Sequence, residues 1–264
     1  MSNKIRYVQK LLLVIKCIKK IKNWQVPILS YLGIINSPKI VILRNDIKCL
    51  VRNKSDVIAF LENFILEANN SHKIFQIMEK DTIVDIGAHV GYFTIYAANL
   101  ARKGKLISYE PSKKSFSTLE KNIEINNFSN VKLENIAISK THGKALLHTD
   151  DLDEISNSLY NFNEESKVYE VETSTLKEIF LKNKLGNIDF LKIDCEGAEY
   201  EILMNASTSD LDRIKKISIE IHEKIVPYSK ETMIEKLVKH EFNVKLETHI
   251  SGIRMELPLL LAWK

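Results

Sequence analysis

The chain has 264 residues, of which 45% are hydrophobic and 27% are charged. These values are typical of globular domains and exclude the disordered, collagen-like and low-complexity classes. The length fits one large domain with a sizeable core, and the apolar runs are too short for a spanning helix of about 20 residues.

Positive charge is concentrated at the N-terminus. Residues 1–54 contain twelve Lys and Arg residues and one acidic residue, Asp46, whereas the rest of the chain has an acidic excess. We therefore predict a basic N-terminal extension over residues 1–54 and a catalytic domain over residues 55–264. The charge of the extension indicates a surface that meets an anionic partner.

The sequence gives no sign of export. The apolar run at residues 11–15 is shorter than the core of a signal peptide and is followed by lysines. The three cysteines form no CxxC pair, which favours reduced thiols over a disulfide framework or a zinc site. We predict a cytoplasmic protein.

The first third of the chain is mostly helical in pattern. Apolar residues recur at helical spacing over residues 1–35, with a break expected at Pro27. Residues 39–51 alternate around Asn45 and Asp46, which predicts a hairpin. Residues 56–68 form an amphipathic pattern that begins with an Asp cap.

From residue 82 onward, predicted strands and helices alternate. The predicted strands are residues 82–86, 105–109, 131–136, 145–149, 168–171, 188–193, 216–221, 242–247 and 256–263. Helices are predicted between most of them, at residues 92–101, 115–126, 175–183, 199–205 and 231–239. This alternation indicates βαβ units with a mostly parallel sheet. The last two strands, separated by Ser251 and Gly252, predict an antiparallel pair at one edge.

A glycine-containing turn follows the first of these strands. Gly87 and Gly91, in the segment DIGAHVGYFT, allow a tight turn before a helix whose first N–H groups are open to a ligand. Glu110 ends the next strand, where a carboxylate in a doubly wound sheet binds ribose hydroxyls. The alternative interpretation is that the glycines form only a turn.

The turn differs from the dinucleotide fingerprint G-x-G-x-x-G, because Ala88 and His89 stand in its middle. Asp85 also favours a cationic group over a pyrophosphate at this position. A ligand with a ribose, an adenine and a cationic sulfonium fits both Asp85 and Glu110. We therefore predict that the chain binds S-adenosyl-L-methionine.

A second group of polar residues is expected at the same edge of the sheet. Asp194, Glu196 and Glu199 follow one predicted strand, and Glu220 and His222 end the next. His222 is the candidate base, since an imidazole of ordinary pKa near 6.5 can take a proton from a hydroxyl. Asp194 and Glu196 are the other candidates, and a surface histidine at a strand end is the alternative.

The remaining acidic residues and the cysteine of this region do not require a catalytic role. Glu199 and Glu201 are explained by helix stabilisation alone, because acidic residues are favourable near a helix N-terminus. Cys195 is expected to be a packing residue, since no base is adjacent to it. The carboxylates could hold a divalent metal, but their spacing does not require one, and no metal ligand is assigned.

The motifs together resemble the FkbM family of S-adenosylmethionine-dependent methyltransferases. The resemblance rests on DIGAHVGYFT, on Tyr109–Pro111, on NVKLENIAIS and above all on DFLKIDCEGAEYEIL, and it covers residues 80–224. It implies a Rossmann-like class I methyltransferase fold. This fold has a mostly parallel seven-stranded sheet with an antiparallel last strand, and helices on both faces. It also implies O-methylation of sugars or other hydroxylated metabolites.

The resemblance also implies roles for individual residues. The glycine turn would line the methionine end of the cofactor, Glu110 would hold the ribose, and Asn135 and Ala137 would lie near the adenine. Asp194, Glu196 and Gly197 would form the floor between cofactor and acceptor. His89 departs from the more common Asn. The predicted cofactor-binding residues are Asp85, Gly87, Ala88, His89, Gly91, Glu110, Pro111, Asn135, Ala137 and Asp194.

We thus expect methyl transfer to a hydroxyl of a sugar, glycan or glycolipid-type acceptor, with His222, Asp194 and Glu196 as catalytic residues. The alternatives are a nucleic-acid methyltransferase, which is disfavoured because no Asn-Pro-Pro-Tyr type motif occurs, and a non-catalytic cofactor-binding scaffold. The basic helical pattern over residues 1–35 also suggests peripheral attachment to an anionic membrane surface. Packing of this helix on the domain is the alternative.

Overall fold

The computed structural model describes residues 3–35, 38–67, 72–149, 158–159, 167–222, 229–248 and 258–264, with side chains from residue 12 onward. The helices are α1 (Asn3–Lys20), α2 (Gln25–Tyr31), α3 (Lys54–Leu61), α4 (Tyr92–Leu100), α5 (Lys113–Glu124), α6 (Leu176–Asn183), α7 (Ala198–Asn205), α8 (Thr208–Leu211) and α9 (Lys230–Lys239). The strands are β1 (Lys39–Ile42), β2 (Lys48–Val51), β3 (Thr82–Ile86), β4 (Lys105–Tyr109), β5 (Val131–Glu134), β6 (Ala137–Ile138), β7 (Gly143–Thr149), β8 (Lys167–Ser174), β9 (Phe190–Ile193), β10 (Lys216–Glu220), β11 (Asn243–Thr248) and β12 (Pro258–Trp263).

A seven-stranded sheet forms the centre of the molecule, in the order β11-β12-β10-β9-β3-β4-β5. The neighbours from β10 to β5 are parallel. The last strand, β12, is antiparallel to both β10 and β11 and lies between them. This arrangement confirms the predicted α/β fold with a mostly parallel sheet and an antiparallel last strand.

Alternate residues of the parallel strands enter two different cores. Val84 and Leu191 lie in one core with the apolar faces of α6, α7 and α9. Ile83 and Phe190 lie in the other core with α4. Because successive side chains of a strand point to opposite sides, helices cover both faces of the sheet, as predicted.

The N-terminal helical segment is divided earlier than the sequence predicts. The break follows α1, where Ile21 pairs with Leu43 and the backbone N–H of Lys22 donates to the carbonyl of Ile42. Pro27 instead lies in the first turn of α2, where its missing N–H costs no intrahelical hydrogen bond. The prediction that Pro27 breaks the helix is therefore wrong.

The N-terminal segment packs against the sheet domain. Cys17 and Cys49 are buried in one core with Tyr92 and Leu119. The Tyr92 hydroxyl donates to the carbonyl of Leu50 at 2.7 Å. The predicted hairpin is formed by β1 and β2, which pair antiparallel. The division of the chain at residue 54 stays a prediction, and residues on both sides of it share this core.

A smaller sheet of three strands, in the order β6-β8-β7, follows β5. The strands predicted at residues 145–149 and 168–171 lie within β7 and β8. The sequence did not predict β6, because two residues are too few to show alternation. Most of the polar stretch at residues 150–166, and the turn expected at residues 251–252, lie outside the described residues.

The order of the strands creates a crevice at one edge of the large sheet. From β3 the chain continues to β4 and β5 on one side, and it later returns to β9 and β10 on the other side. The loops that follow β3 and β9 therefore diverge at the carboxyl ends of two adjacent strands. In doubly wound sheets, ligands bind at such a point.

Candidate active site

The loop between β3 and α4 lies directly against the end of β9. Gly87 and Gly91 have φ values of +78° and +90°, in the left-handed region that favours glycine. A Cβ atom added at Gly87 would lie 1.7 Å from the backbone carbonyl oxygen of Asp194. This approach requires glycine at position 87 and brings the two predicted sites together.

Glu110 holds this loop in place from the end of β4. Its carboxylate accepts hydrogen bonds from the backbone N–H groups of His89 and Ser112, each at 2.8 Å. The residue is only 5% exposed, and burial raises the pKa of Glu110 to about 7, against the lowering effect of both hydrogen bonds. The buried Glu110 carboxylate is thus fixed beside the glycine loop and can accept further hydrogen bonds.

Asn135 and Ala137 have structural contacts that the sequence did not predict. The Asn135 side-chain amide donates to the carbonyls of Glu110 and Pro111 at 2.8 and 3.0 Å. It therefore fixes the backbone that carries the Glu110 carboxylate. Ala137 is buried in β6, where it pairs with Thr173 of β8. The expected contacts of these two residues with adenine stay a prediction.

Lys192 links the two groups of predicted residues. Its Nζ atom lies 3.3 Å from an oxygen of Asp85 and 3.3 Å from an oxygen of Asp194, and it donates to the Gly87 carbonyl at 3.2 Å. Burial alone would lower the pKa of Lys192, but the charges of Asp85, Asp194 and Glu220 raise it above its ordinary value. The lysine therefore stays charged between the two carboxylates.

The second group is centred on the imidazole of His222. Glu199, whose side chain is fully buried, accepts from the His222 backbone N–H at 3.0 Å and contacts its Nδ1 atom at 3.1 Å. The Nε2 atom lies 3.4 Å from an oxygen of Glu196 and 3.9 Å from an oxygen of Glu220. Glu199 is thus a positioning residue for the histidine, beyond the helix-stabilising role expected from the sequence.

The charge state of His222 bears on its predicted role as a base. Burial alone would lower the pKa of His222, but the hydrogen bond with Glu199 and the charges of Glu196, Glu199 and Asp194 raise it to about 10. At neutral pH the His222 ring is therefore in its cationic form, with a proton on both nitrogens. A protonated imidazole cannot accept another proton, so the base role requires one proton to leave first.

The backbone positions Glu196 against α7. Glu196 and Gly197 both have positive φ values, of 49° and 110°, in the turn between β9 and α7. The Gly197 N–H donates to Glu199 at 2.7 Å, and the Ser158 hydroxyl donates to the Glu196 carbonyl.

Burial raises the pKa of the nearby Cys195 thiol well above its ordinary value, which agrees with a packing role.

A family model, the methyltransferase FkbM domain, matches residues 85–244. The match covers more than half of the chain. The chain belongs to the FkbM methyltransferase family. The match begins at Asp85 and includes Glu110, Asp194, Glu196 and His222, which are the residues that form the site described above.

Two curated relatives are similar over part of their length. Methyltransferase 1 of Beauveria bassiana is 24% identical over 159 residues, which cover 53% of this chain and 64% of the relative. Methyltransferase sdnD of Sordaria araneosa is 27% identical over 173 residues, which cover 53% of this chain and 66% of the relative. The chain thus spans slightly less than two thirds of the length of these relatives.

One solved structure is a methyltransferase FkbM from Methylobacillus flagellatus. It is 13% identical, its TM-score is 0.48, and the alignment covers 72% of this chain and 44% of that one. TrmK from M. capricolum, solved with S-adenosylhomocysteine, is 18% identical with a TM-score of 0.45, over 72% of this chain and 65% of that one.

In this FkbM domain the predicted residues form two neighbouring groups. The first group lies in or beside the loop after β3 and consists of Asp85, Gly87, Gly91 and Glu110. The second group lies at the ends of β9 and β10 and consists of Asp194, Glu196, Glu220 and His222. Lys192 and Glu199 were not among the predicted site residues, and both contact members of the two groups. The DFLKIDCEGAE segment contains both, and a lysine within an otherwise apolar strand was the available signal for the first.

Proposed function

We propose that this chain is an S-adenosyl-L-methionine-dependent methyltransferase. The observation that carries the proposal is the contact between the glycine loop and the end of β9, with Glu110 fixed beside the loop. These residues fit the cofactor, since the Glu110 carboxylate can accept from ribose hydroxyls and Asp194, whose side chain is 29% exposed, can face its cationic end, while the fully buried Asp85 holds Lys192 in place. When bound, the cofactor supplies a methyl group activated by its sulfonium.

The chain's own residues would then position the reactants. Asp85, Lys192 and Asp194 form a row of charges that runs from the buried end of β3 to the exposed end of β9, with 3.3 Å between the lysine nitrogen and each carboxylate. Such a row needs no rearrangement when a charged ligand binds. The contribution of the protein is therefore alignment of the two reacting atoms and exclusion of water.

We further propose that the acceptor is a hydroxyl of a sugar, glycan or glycolipid-type molecule. Glu196, Glu220 and His222 lie next to the proposed cofactor site, and their oxygen and nitrogen atoms can hydrogen-bond hydroxyl groups. His222 is the proposed base once its ring has lost a proton, with Glu196 and Asp194 as the other acceptors for the hydroxyl proton. This assignment follows from the family resemblance and is supported by the polarity of the crevice.

Membrane attachment through residues 1–35 is a separate proposal about where the enzyme works. Leu12, Ile15 and Ile18 of α1 are 53%, 39% and 38% exposed, while Cys17 on the opposite side of the helix is buried. We call the three exposed residues the α1 stripe. Lysines flank the stripe, which suits an anionic lipid surface. Among the described residues, no helix is both long and apolar enough to cross a bilayer.

The proposed reaction is tested with a methyl-labelled cofactor and a panel of acceptors. The panel contains sugars and glycolipids with free hydroxyls, amines, and RNA. We expect label on a hydroxylated acceptor, and a loss of turnover by roughly 10²–10⁴-fold in His222→Ala with cofactor affinity little changed. Asp194→Ala should impair both turnover and cofactor binding, because Asp194 lies between the two groups.

Two results would contradict this proposal in different ways. Label that appears only on RNA or on amines would overturn the hydroxyl acceptor but not methyl transfer. Wild-type turnover in His222→Ala across pH 6–9 would remove the base assignment. Since His222 is buried against Glu199, His222→Gln serves as a second variant that keeps a polar side chain at this position.

A further inference from the structure

Lys192 of β9 is a buried cation next to the crevice. The residue is 6% exposed, and the other residues of β9 are apolar and buried. Its Nζ atom lies within 3.3 Å of three acceptors, which are the carboxylates of Asp85 and Asp194 and the backbone carbonyl of Gly87. Because an ammonium group has three protons, these contacts use its donor capacity. Lys192 is therefore a positioning residue, and a ligand in the crevice meets its charge through these neighbours.

Asp85 is held on the inner side of this lysine. Its side chain is fully buried, with one oxygen 3.3 Å from the Lys192 nitrogen and the other accepting from the Thr94 hydroxyl at 2.7 Å. The Thr94 hydroxyl lies 2.9 Å from that of Ser108, and both residues are buried. These contacts hold the Asp85 carboxylate inside the domain. Asp85 and Lys192 thus form a buried ion pair whose positive end faces Asp194.

Asp194 is the member of this row of charges that a ligand can reach. Its side chain is 29% exposed, against 8% for Lys192 and 0% for Asp85. Its backbone adjoins the glycine loop, where a Cβ atom added at Gly87 would lie 1.7 Å from the Asp194 carbonyl oxygen. At 3.3 Å, the lysine ammonium offsets part of the negative charge that the Asp194 carboxylate presents to the crevice. The attraction of the crevice for a cation therefore depends on Lys192.

The methyl donor and the product that remains after transfer differ in the charge on sulfur. S-adenosyl-L-methionine has a cationic sulfonium, whereas S-adenosylhomocysteine has a neutral thioether. A group that changes the potential at the sulfur therefore changes the affinity for the donor more than the affinity for the product. Because the sulfonium charge is lost during transfer, a crevice that held it too tightly would stabilise the ground state more than the transition state.

We propose that Lys192, by offsetting part of the charge of Asp194, limits the preference of the crevice for the charged donor over the neutral product. The inference rests on the proposed methyltransferase function and assigns a specificity-determining role to the buried pair of Asp85 and Lys192. Asp194 supplies the attraction for the sulfonium, and the lysine behind it sets how strong that attraction is.

The proposal is tested by isothermal titration calorimetry of the full-length protein with S-adenosyl-L-methionine and with S-adenosylhomocysteine at pH 8, above the pKa of Glu110. The measured quantity is the ratio of the two affinities. The ratio in favour of the donor should rise by at least about threefold in Lys192→Met and fall by at least about threefold in Asp194→Asn. Lys103→Met, which removes an exposed lysine paired with Glu79, is the matched control and should keep the wild-type ratio.

A second variant avoids leaving a buried charge without its partner. The double variant Asp85→Asn, Lys192→Met removes the whole buried pair but leaves Asp194 without its neighbouring ammonium, so the ratio should again rise. Glu196 and Glu220 are unchanged in every variant, so the ratio reports on this row of charges. Circular dichroism identifies the variants that fold.

A purely structural role of Lys192 would weaken the binding of both ligands alike and leave the ratio unchanged. Asp194→Asn keeps Lys192 paired with Asp85 and changes a partly exposed side chain, so it tests the proposal even where the lysine variants do not fold. A wild-type ratio in Asp194→Asn, or in a folded Lys192 variant, would overturn the proposal. If both ligands bind and the ratio does not move, the proposed methyltransferase function stands; if neither ligand binds to the wild type, that function fails.

Discussion

The carboxyl group of Glu110 is buried and can change its charge near neutral pH. Its carboxylate is held by two backbone N–H groups, and burial raises the pKa of Glu110 to about 7. The ionised form of Glu110 therefore predominates in the unliganded protein only above neutral pH. Because ribose hydroxyls donate more strongly to a carboxylate than to a neutral carboxylic acid, cofactor binding should depend on this ionisation.

Cofactor affinity should accordingly fall as the pH is lowered through about 7. The difference between charged and neutral hydrogen bonds is about 1 kcal/mol, which corresponds to roughly a threefold to fivefold loss of affinity between pH 8 and pH 6. Calorimetric titration with S-adenosylhomocysteine at these two pH values measures the loss. Glu110→Gln should bind weakly and equally at both, whereas the exposed control Glu124→Gln should keep the dependence of the wild type. A pH dependence that survives in Glu110→Gln would contradict the ribose assignment.

At the same scale, the sequence identified side chains better than it identified their partners. Asp85, Glu110 and Asp194 could be placed at the sheet edge because each follows a recognisable strand. The contacts of Lys192 with Asp85 and of Glu199 with His222 depend on neighbours far away in the chain. One sequence contains no direct record of such contacts, which is why Glu199 was interpreted as a helix-stabilising residue.

Among the elements, α1 combines a packing face with an exposed face. Cys17 is buried against the domain, whereas the α1 stripe is exposed. The burial of Cys17 agrees with the alternative that the helix packs on the domain, whereas attachment to a membrane stays a prediction. Deleting residues 1–35 would uncover the core that Cys17 joins, so point substitutions in the stripe are the better test.

The double variant Leu12→Ser, Ile15→Ser should bind anionic vesicles at least tenfold more weakly than the wild type. Burying even part of a Leu or Ile side chain in the lipid interface is worth about 1 kcal/mol or more. Sedimentation with phosphatidylcholine vesicles, with and without phosphatidylserine and at rising salt, measures the partitioning. The control is Leu181→Ser, which changes a similarly exposed residue (64%) on α6. Equal partitioning of all three proteins would remove the membrane proposal.

Elements were predicted well where pattern and packing agree. The bounds of β3 and β4 match the sequence expectation, because both are short apolar runs with clear turn residues on each side. The end of α1 was missed because it depends on pairing between Ile21 and Leu43. The pattern along the chain carries no information on that tertiary contact.

For the whole molecule, the sequence predicted the fold class but not all of its connections. Alternating strands and helices require a mostly parallel sheet, and the two final strands require an antiparallel edge. The position of β12 between β10 and β11, and the separate sheet of β6, β7 and β8, are set by packing of distant segments. The location of the crevice follows from the strand order, which explains why residues from both motifs meet there.

The central claim is that this crevice binds S-adenosyl-L-methionine rather than a dinucleotide. Isothermal titration calorimetry of the full-length protein with S-adenosylhomocysteine tests it most directly, with NAD⁺ as the control ligand. We expect one site per chain with a micromolar-range Kd, corresponding to about −8 kcal/mol, and no heat of binding for NAD⁺. Absence of S-adenosylhomocysteine binding, or NAD⁺ binding of equal affinity, would contradict the account.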